Sequence, residues 1–222
     1  MATDSIVDFS QYFSSDIRSG FAFNPDNRTP YSLAEEAGFL SDNFAAPEQV
    51  HSNQVQWVEK AGKYKSVDGL ITSKRDLILT VKVADCVPVY FYDSQIGIIG
   101  LVHSGWRGTT SGIIPNTIKL MQKWGSDVGN ITIYVGPAIG VCCYEVDSDV
   151  ANLFKNKAKL KLDNKKWKVD LHQQISLQLK DLGILSYNIN AYRLCTFESV
   201  QCHSYRRDGS SAGRMYAFIS IQ

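Results

Sequence analysis

The sequence has no CxxC pair, so the usual zinc-knuckle spacing is missing. It has only four histidines in 222 residues. That is too few for the mononuclear plus trinuclear copper centre of a true multicopper oxidase. Its longest apolar runs, such as "IGIIGLV", are far too short to span a bilayer. Charge of one sign is also missing. Lys and Arg total 23 against 22 Asp and Glu, a formal net charge of +1, so no global field draws in nucleic acid or an acidic membrane surface. No Pro/Gly/Ser-rich linker, charge block, low-complexity tract or internal repeat divides the chain. The opening "MATDSIVDFSQYF" lacks a basic segment followed by an apolar one, so no signal peptide is read there.

What is there fits one domain over residues 1–222, with 44% hydrophobic residues to build its core. The expected location is the cytoplasm, where the five cysteines (86, 142, 143, 195 and 202) stand as thiols or ligands, not disulfides. "LILTVKV" (77–83), "VPVYFYD" (87–93) and "IGIIGLVH" (96–103) are β-branched and aromatic and read as strands, the first and third buried on both faces. The "DSQ" at 93–95 makes a hairpin of the second and third. Ile113, Ile114, Thr117, Ile118 and Met121 share one helical face, with Pro115 confined to the first turn and Gly125 at the stop.

"ITIYVG" (131–136) is a further strand, and "DSDVANLFKN" (147–156) reads as a helix capped by its aspartate. "VDLHQQISLQLKDLG" (169–183) is a helix capped by Asp170, apolar along Leu171, Ile175, Leu179 and Leu182, and ended by Gly183. "NINAYR" and "RMYAFISI" are the last strands. Strands and helices interleave without strict alternation, which predicts an α/β (α+β) domain with a mixed central sheet flanked by helices.

Three residues of distinct chemistry sit at the ends of these strands. His51 lies at a loop-to-strand boundary, Cys86 lies in the short "ADC" link, and His103 lies where a buried strand meets "SGWRG". Strand ends let side chains converge on one sheet edge. One Cys and two His can make a three-ligand site with a fourth position open, the catalytic form of zinc coordination. The separations, 35 and 17 residues, are long, so the sheet must supply the geometry. The same residues also read as a buried thiol and two hydrogen-bonded histidines. Asp85 has two readings as well: it orients a ligand histidine, or it caps the turn.

Arg107 sits in a glycine-flanked turn before a helix, a natural seat for phosphate or carboxylate. "SYRRDG" and Arg214 add three more arginines, of which at least one of Arg206 and Arg207 is expected in an ordinary surface salt bridge. Gly136, Pro137 and Gly140 read either as a loop that approaches a ligand or as a plain strand-to-helix connection. Cys142 and Cys143 are adjacent, so their side chains are expected to diverge and not to share a metal. Cys195 reads as packed beside the final strands. His172 lies within the amphipathic helix with no motif around it.

"QVH" (49–51), "ADCVPV" (84–89), "HSGWRG" (103–108), "GPAIG" (136–140) with "YEV" (144–146), "CTF" (195–197) and "SYRRDG…GRMYAFI" (204–219) occur in this order. Together they resemble the laccase-domain, or multicopper polyphenol oxidase-like, proteins, known in bacteria as the YfiH family and related to a mammalian enzyme of purine metabolism. The resemblance runs from about residue 27 to 222. It departs in the segment before Asn27–Arg28, at Ser52, where glycine is common, and at His203, where an aromatic is more frequent.

The resemblance implies a fold similar to that of cysteine hydrolases. It implies a metal site at His51, Cys86 and His103 for zinc, with copper as the alternative. It also implies catalytic duty for those three and Asp85, and nucleoside or phosphate contacts at Arg28, Arg107, Arg206 and Arg214. The implied activity is phosphorolysis of adenosine, inosine and methylthioadenosine with adenosine deamination. The alternatives are an amidase that edits UDP-muramoyl-peptide precursors of peptidoglycan and a copper-dependent polyphenol oxidase. The expected partners are small molecules, with no nucleic acid and no membrane, and the expected state is a monomer or homodimer.

Overall fold

The structure, a computed structural model, describes residues 6–23, 29–39, 43–163 and 165–222. Its centre is the hairpin expected from "DSQ". Strands Val87–Asp93 and Ile98–Ser104 pair antiparallel in register from Val87 opposite Ser104 to Asp93 opposite Ile98. The turn closes through Gly97, at φ +64°, and through the Gln95 amide donating to Asp93 Oδ1 at 2.9 Å. Every residue of both strands is buried, the second expected strand included.

That burial follows from the layering. The mixed α/β class holds, and beside a small three-stranded sheet of residues 145–146, 167–169 and 159–161 its strands form two six-stranded sheets. One sheet runs, in order, 189–191, 131–135, 87–93, 98–104, 69–72 and 55–57. The other runs 6–8, 17–22, 215–221, 78–83, 44–47 and 62–64. Alternate residues of a strand face opposite ways. Tyr90, Ile99 and Leu101 therefore pack between the sheets against Leu79, Val81 and Ile219. Val89, Phe91 and Val102 face the other way, onto the helices Ile113–Lys123 and Leu171–Asp181. A short helix, Pro30–Glu36, covers the outer side of the second sheet through Leu33 and Ala34 against Ile78 and Phe218.

Both long helices match their sequence signals. Ile113, Ile114, Thr117, Ile118 and Met121 are all buried, and Pro115 is the third residue of its helix. Asp170 caps the other by accepting the Gln173 amide at 2.8 Å. Gly125 and Gly183 follow the two helices at φ +102° and +87°. The helix expected over 147–156 is only Ser148–Ala151. Asp147 does not cap it, because its carboxylate holds Lys166 Nζ at 2.6 Å, and Phe154 turns into the core beside Ala151 and Ala158. Among the described residues, no helix is long and apolar enough to cross a membrane.

Two links cross from one sheet to the other along the same edge. Residues 48–54 join strand Phe44–Pro47 to Val55–Trp57, and residues 84–86 join Ile78–Val83 to Val87–Asp93. His51 stands in the first link and Cys86 in the second. His103, paired with Pro88, is the last residue but one of the strand beside them.

Candidate metal centre and cleft

The ligand atoms of His51, Cys86 and His103 all lie within 4.8 Å of one another. Three local features bring them together. His51 has a left-handed backbone, φ +60°, and Asp85, just before Cys86, has φ +81°. Such a conformation in a non-glycine residue costs on the order of 1–2 kcal/mol, so surrounding bonds must hold it. For His51 the holder is Asp68, which is fully buried. Its carboxylate accepts the backbone amides of Val50, His51 and Ser52 at 3.2, 3.0 and 2.6 Å and the Ser52 hydroxyl at 2.7 Å. The third feature is Gly105. A Cβ at that position would stand 2.7 Å from Cys86 Sγ and 3.5 Å from His51 Cδ2. Only glycine lets the "HSGWRG" turn pass this close to the three ligands.

Asp68 also reaches His103, with Oδ1 at 2.9 Å from Nδ1. That bond fixes the ring and leaves Nε2 for Cys86 and the ligand position. Burial works against charge at both ends of the Cys86–His103 pair, and the partners outweigh it. Burial would push the Cys86 thiol up. The charge and hydrogen bond of His103, with a hydrogen bond from His51, instead bring it from 9.0 down to about 6. Burial would push His103 down, yet the Cys86 thiolate and the Asp68 hydrogen bond raise it from 6.5 to about 9. Asp68 itself is held below 3.8, its burial outweighed by His103 and Ser52. The metal-free pair is a thiolate facing an imidazolium. A soft thiolate and two imidazoles in a gap walled by Gly105 fit zinc in a three-ligand, open geometry.

These groups form the floor of a cleft of about 620 Å³. Arg107, Arg206 and Arg214 line it, with Trp106, Tyr144 and Tyr205. Arg107 is exposed and lies over the Trp106 ring, 4.4 Å from its centroid. Among the described residues no carboxylate pairs with it, so its fork is free for an anion. Arg206 lies over the Tyr144 ring at 5.0 Å and donates to the Glu145 carbonyl at 2.6 Å. Arg214 donates to the Ala212 and Gly213 carbonyls at 2.7 and 2.8 Å. Arg207 is the surface salt bridge expected of this pair. It binds Asp208 at 2.9 Å and pins the carbonyls of Phe197 and Cys202 at 3.0 and 2.6 Å. Arg28 lies outside the described residues.

Asp85 does not carry the histidine-orienting bond. Its carboxylate accepts the Thr196 hydroxyl and the Arg206 amide, both at 2.6 Å, and so ties the C-terminal loops to the "ADC" link. The orienting residue is Asp68, which sits in the plain "VDGLIT" stretch without a motif. Its one sequence signal is an aspartate placed just before the short, mostly apolar strand Gly69–Thr72. His172 is buried and bonds the Gly136 carbonyl at 2.9 Å. Cys142 and Cys143, expected to diverge, converge instead. They lie in a tight turn, not a strand, and their thiols gather with Cys195 and Glu198 within 4.8 Å.

Similarity to known proteins agrees with the cleft. Residues 26–222 match the family model described as multi-copper polyphenol oxidoreductase laccase. A purine nucleoside phosphorylase of Clostridium acetobutylicum is 33% identical over 225 residues, which cover 95% of this chain and 91% of that protein. Purine nucleoside phosphorylase YlmD of Geobacillus stearothermophilus is 34% identical over 206 residues, 84% of this chain and 75% of that one. Among solved structures, the Bacillus licheniformis hypothetical protein YfiH superposes with a TM-score of 0.91 at 26% identity, over 100% of this chain and 98% of that chain. The chain belongs to the laccase-like YfiH family, whose relatives carry the name purine nucleoside phosphorylase.

Proposed function

We propose that the protein is a zinc-dependent purine nucleoside enzyme that phosphorolyses adenosine, inosine and methylthioadenosine and deaminates adenosine. One observation carries this: a His–Cys–His ligand set on the floor of a cleft whose wall presents an arginine, Arg107, that no carboxylate among the described residues pairs. The relatives' names point the same way. His51, Cys86 and His103 would hold the metal, which when bound supplies Lewis acidity for attack on the purine. Asp68 keeps His103 in one tautomer and the His51 loop in place. The Arg107 guanidinium presents a planar fork that matches phosphate, and Arg206 and Arg214 add positive charge beside it. Trp106 and Tyr205 offer rings to a purine base. In phosphorolysis the phosphate oxygen replaces the base at the sugar carbon, so the arginines must hold the nucleophile against the glycosidic bond. The cytoplasm suits a chain with five free cysteines, and one domain over residues 1–222, as a monomer or homodimer, completes the proposal.

A second reading has its own observation. Cys86, His103 and Asp68 line up as thiolate, imidazolium and carboxylate, the arrangement of a cysteine hydrolase acting on an amide. Its substrate class would be the muramoyl-peptide precursors. Phenol oxidation by several coppers is disfavoured by the histidine supply, since the two ligand clusters among the described residues contain two histidines between them.

The deciding experiment is a substrate panel on protein of defined metal content. Nucleosides are tested with and without phosphate, beside UDP-muramoyl peptides and phenols. Phosphate-dependent base release that disappears with the zinc supports the nucleoside enzyme. Amide cleavage by metal-stripped protein, with no nucleoside turnover in either form, overturns it.

A further inference from the structure

We propose that Cys142, Cys143, Cys195 and Glu198 form a second metal site, a closed three-sulfur, one-oxygen set for zinc that braces the wall of the cleft. It does not depend on which reaction the first site performs.

Four donors from two loops already lie together. Their ligand atoms are all within 4.8 Å of one another. A tetrahedral zinc with sulfur ligands at about 2.3 Å has ligand–ligand edges of about 3.8 Å, so only small side-chain shifts separate this cluster from a coordination shell. Three thiols and one carboxylate make four ligands, which closes the shell and marks a structural site, unlike the open three-ligand set in the cleft.

The backbone is shaped around these sulfurs. The 141–143 turn is closed by the Cys143 and Tyr144 amides, each donating to the Gly140 carbonyl at 3.0 Å. Two adjacent cysteines in a turn, unlike two in a strand, can present both thiols to one side. The Gly140 amide donates to Cys195 Sγ at 3.2 Å. That bond holds the Cys195 sulfur in place among the other donors. Gly140 has little freedom to change. A Cβ there would stand 2.9 Å from Cys142 Sγ and 3.3 Å from Cys195 Sγ. The cluster opens to solvent at Cys142 and Glu198, which gives an ion a way in. On binding, each thiol gives up its proton to solvent and the metal takes the resulting lone pair.

The location explains why a brace is useful. The first loop continues into Tyr144, which lines the cleft, and the second supplies Thr196, which bonds Asp85 beside Cys86. The two loops meet through short backbone pairing around Ala138 and Cys195 and through the Gly140 amide on Cys195 Sγ. A metal bridging them would clamp the cleft wall from behind.

The test counts zinc in full-length protein purified under reducing conditions. Cys86→Ala removes a ligand of the cleft site. It should keep about one zinc per chain, and Cys86→Ala/Cys195→Ser should keep none. In Cys86→Ala, four cysteines remain, and a thiol reagent should find three of them protected until a chelator is added. Cobalt substitution of that variant should show thiolate-to-metal charge transfer that Glu198→Gln weakens or shifts without removing. The thiol count uses a single variant, so it stands even where a double variant fails to fold. A Cys86→Ala protein that holds no zinc and whose Cys142, Cys143 and Cys195 react without chelator overturns the proposal. So does a disulfide among these three in protein purified without reductant but with zinc present.

Discussion

Asp68 and His103 are joined by a buried bond of 2.9 Å between Oδ1 and Nδ1, and the same carboxylate gathers the three backbone amides of residues 50–52. One side chain therefore sets the tautomer of one ligand and the strained backbone of another. Asp68→Asn would turn an acceptor of several bonds into a group with its own donors facing those amides. The expected result is about a 10–100-fold loss of zinc affinity at the cleft site. Competition with a coloured chelator measures it. Asp85→Asn, which breaks bonds only to Thr196 and the Arg206 amide, should change zinc affinity far less. Equal losses in the two variants would show that Asp68 has no special hold on the ligands.

The Cys86–His103 pair makes the metal-free protein titrate in an unusual way. The Cys86 pKa is depressed on folding, so its contribution to stability grows as pH rises from about 6 towards 9. The His103 pKa is raised, so its contribution is complete below 6.5 and fades as pH rises to about 9. Between about 6.5 and 9 the two slopes oppose and cancel, because the folded protein carries on His103 the proton that the unfolded chain carries on Cys86. Stability of the apoprotein should thus show little net slope from this pair across that window. Alkylation of Cys86 should instead reveal it, with a midpoint near 6. In His103→Asn, burial is no longer outweighed, and the midpoint should move well above 7. An unchanged midpoint in that variant would sink the ion-pair account.

Gly105 is the tightest point of the cleft floor. Gly105→Ala would put a methyl group 2.7 Å from Cys86 Sγ and 3.5 Å from His51 Cδ2. The sulfur is on a short, half-buried side chain and cannot swing far aside. The variant is expected to fold, since Gly105 has φ −76° and an ordinary extended backbone. Its zinc content and its nucleoside turnover should both fall at least about tenfold, the equivalent of about 1.4 kcal/mol of lost ligand geometry. Metal analysis with circular dichroism on one preparation separates this from global unfolding.

How much of this was legible beforehand follows from range. The hairpin at 87–104 and the helices from Ile113 and Leu171 rest on local periodicity, turn residues and caps, and the sequence shows them directly. His51, Cys86 and His103 were visible because strand ends next to motif residues are where a sheet collects side chains. Asp68 was not, because nothing local in "VDGLIT" says that its carboxylate faces a loop 16–18 residues earlier and a histidine 35 residues later. The convergence of Cys142 and Cys143 is hidden in the sequence for a similar reason. Their direction depends on a turn that a loop 52–53 residues further on, at Cys195, helps to define. The division of the strands into separate sheets is likewise a matter of long-range pairing, such as Ile17–Ala22 with the last strand, Met215–Ile221.

Arg107 is the residue that best separates phosphorolysis from deamination. It lies four residues after His103, not in a turn before a helix but in the first turn of the short helix Trp106–Ser111 that Gly105 opens, and it lines the same cleft. Its guanidinium rests on the Trp106 ring, so its direction is restrained while its donors stay free. A phosphate held by this fork would lose a charge-assisted pair in Arg107→Lys, because an ammonium cannot reproduce two parallel bonds. The expected cost is about 1.5–3 kcal/mol, which is roughly a tenfold to more than hundredfold rise in the phosphate concentration that inosine cleavage needs. Deamination of adenosine uses water and no phosphate, so it should fall much less. The competing account is that Arg107 only steadies the turn. Then both rates and the melting temperature would drop together. Measuring phosphate dependence, deamination and melting on one Arg107→Lys preparation distinguishes the two accounts. Parallel loss of both activities in a destabilised protein would leave the phosphate seat without support.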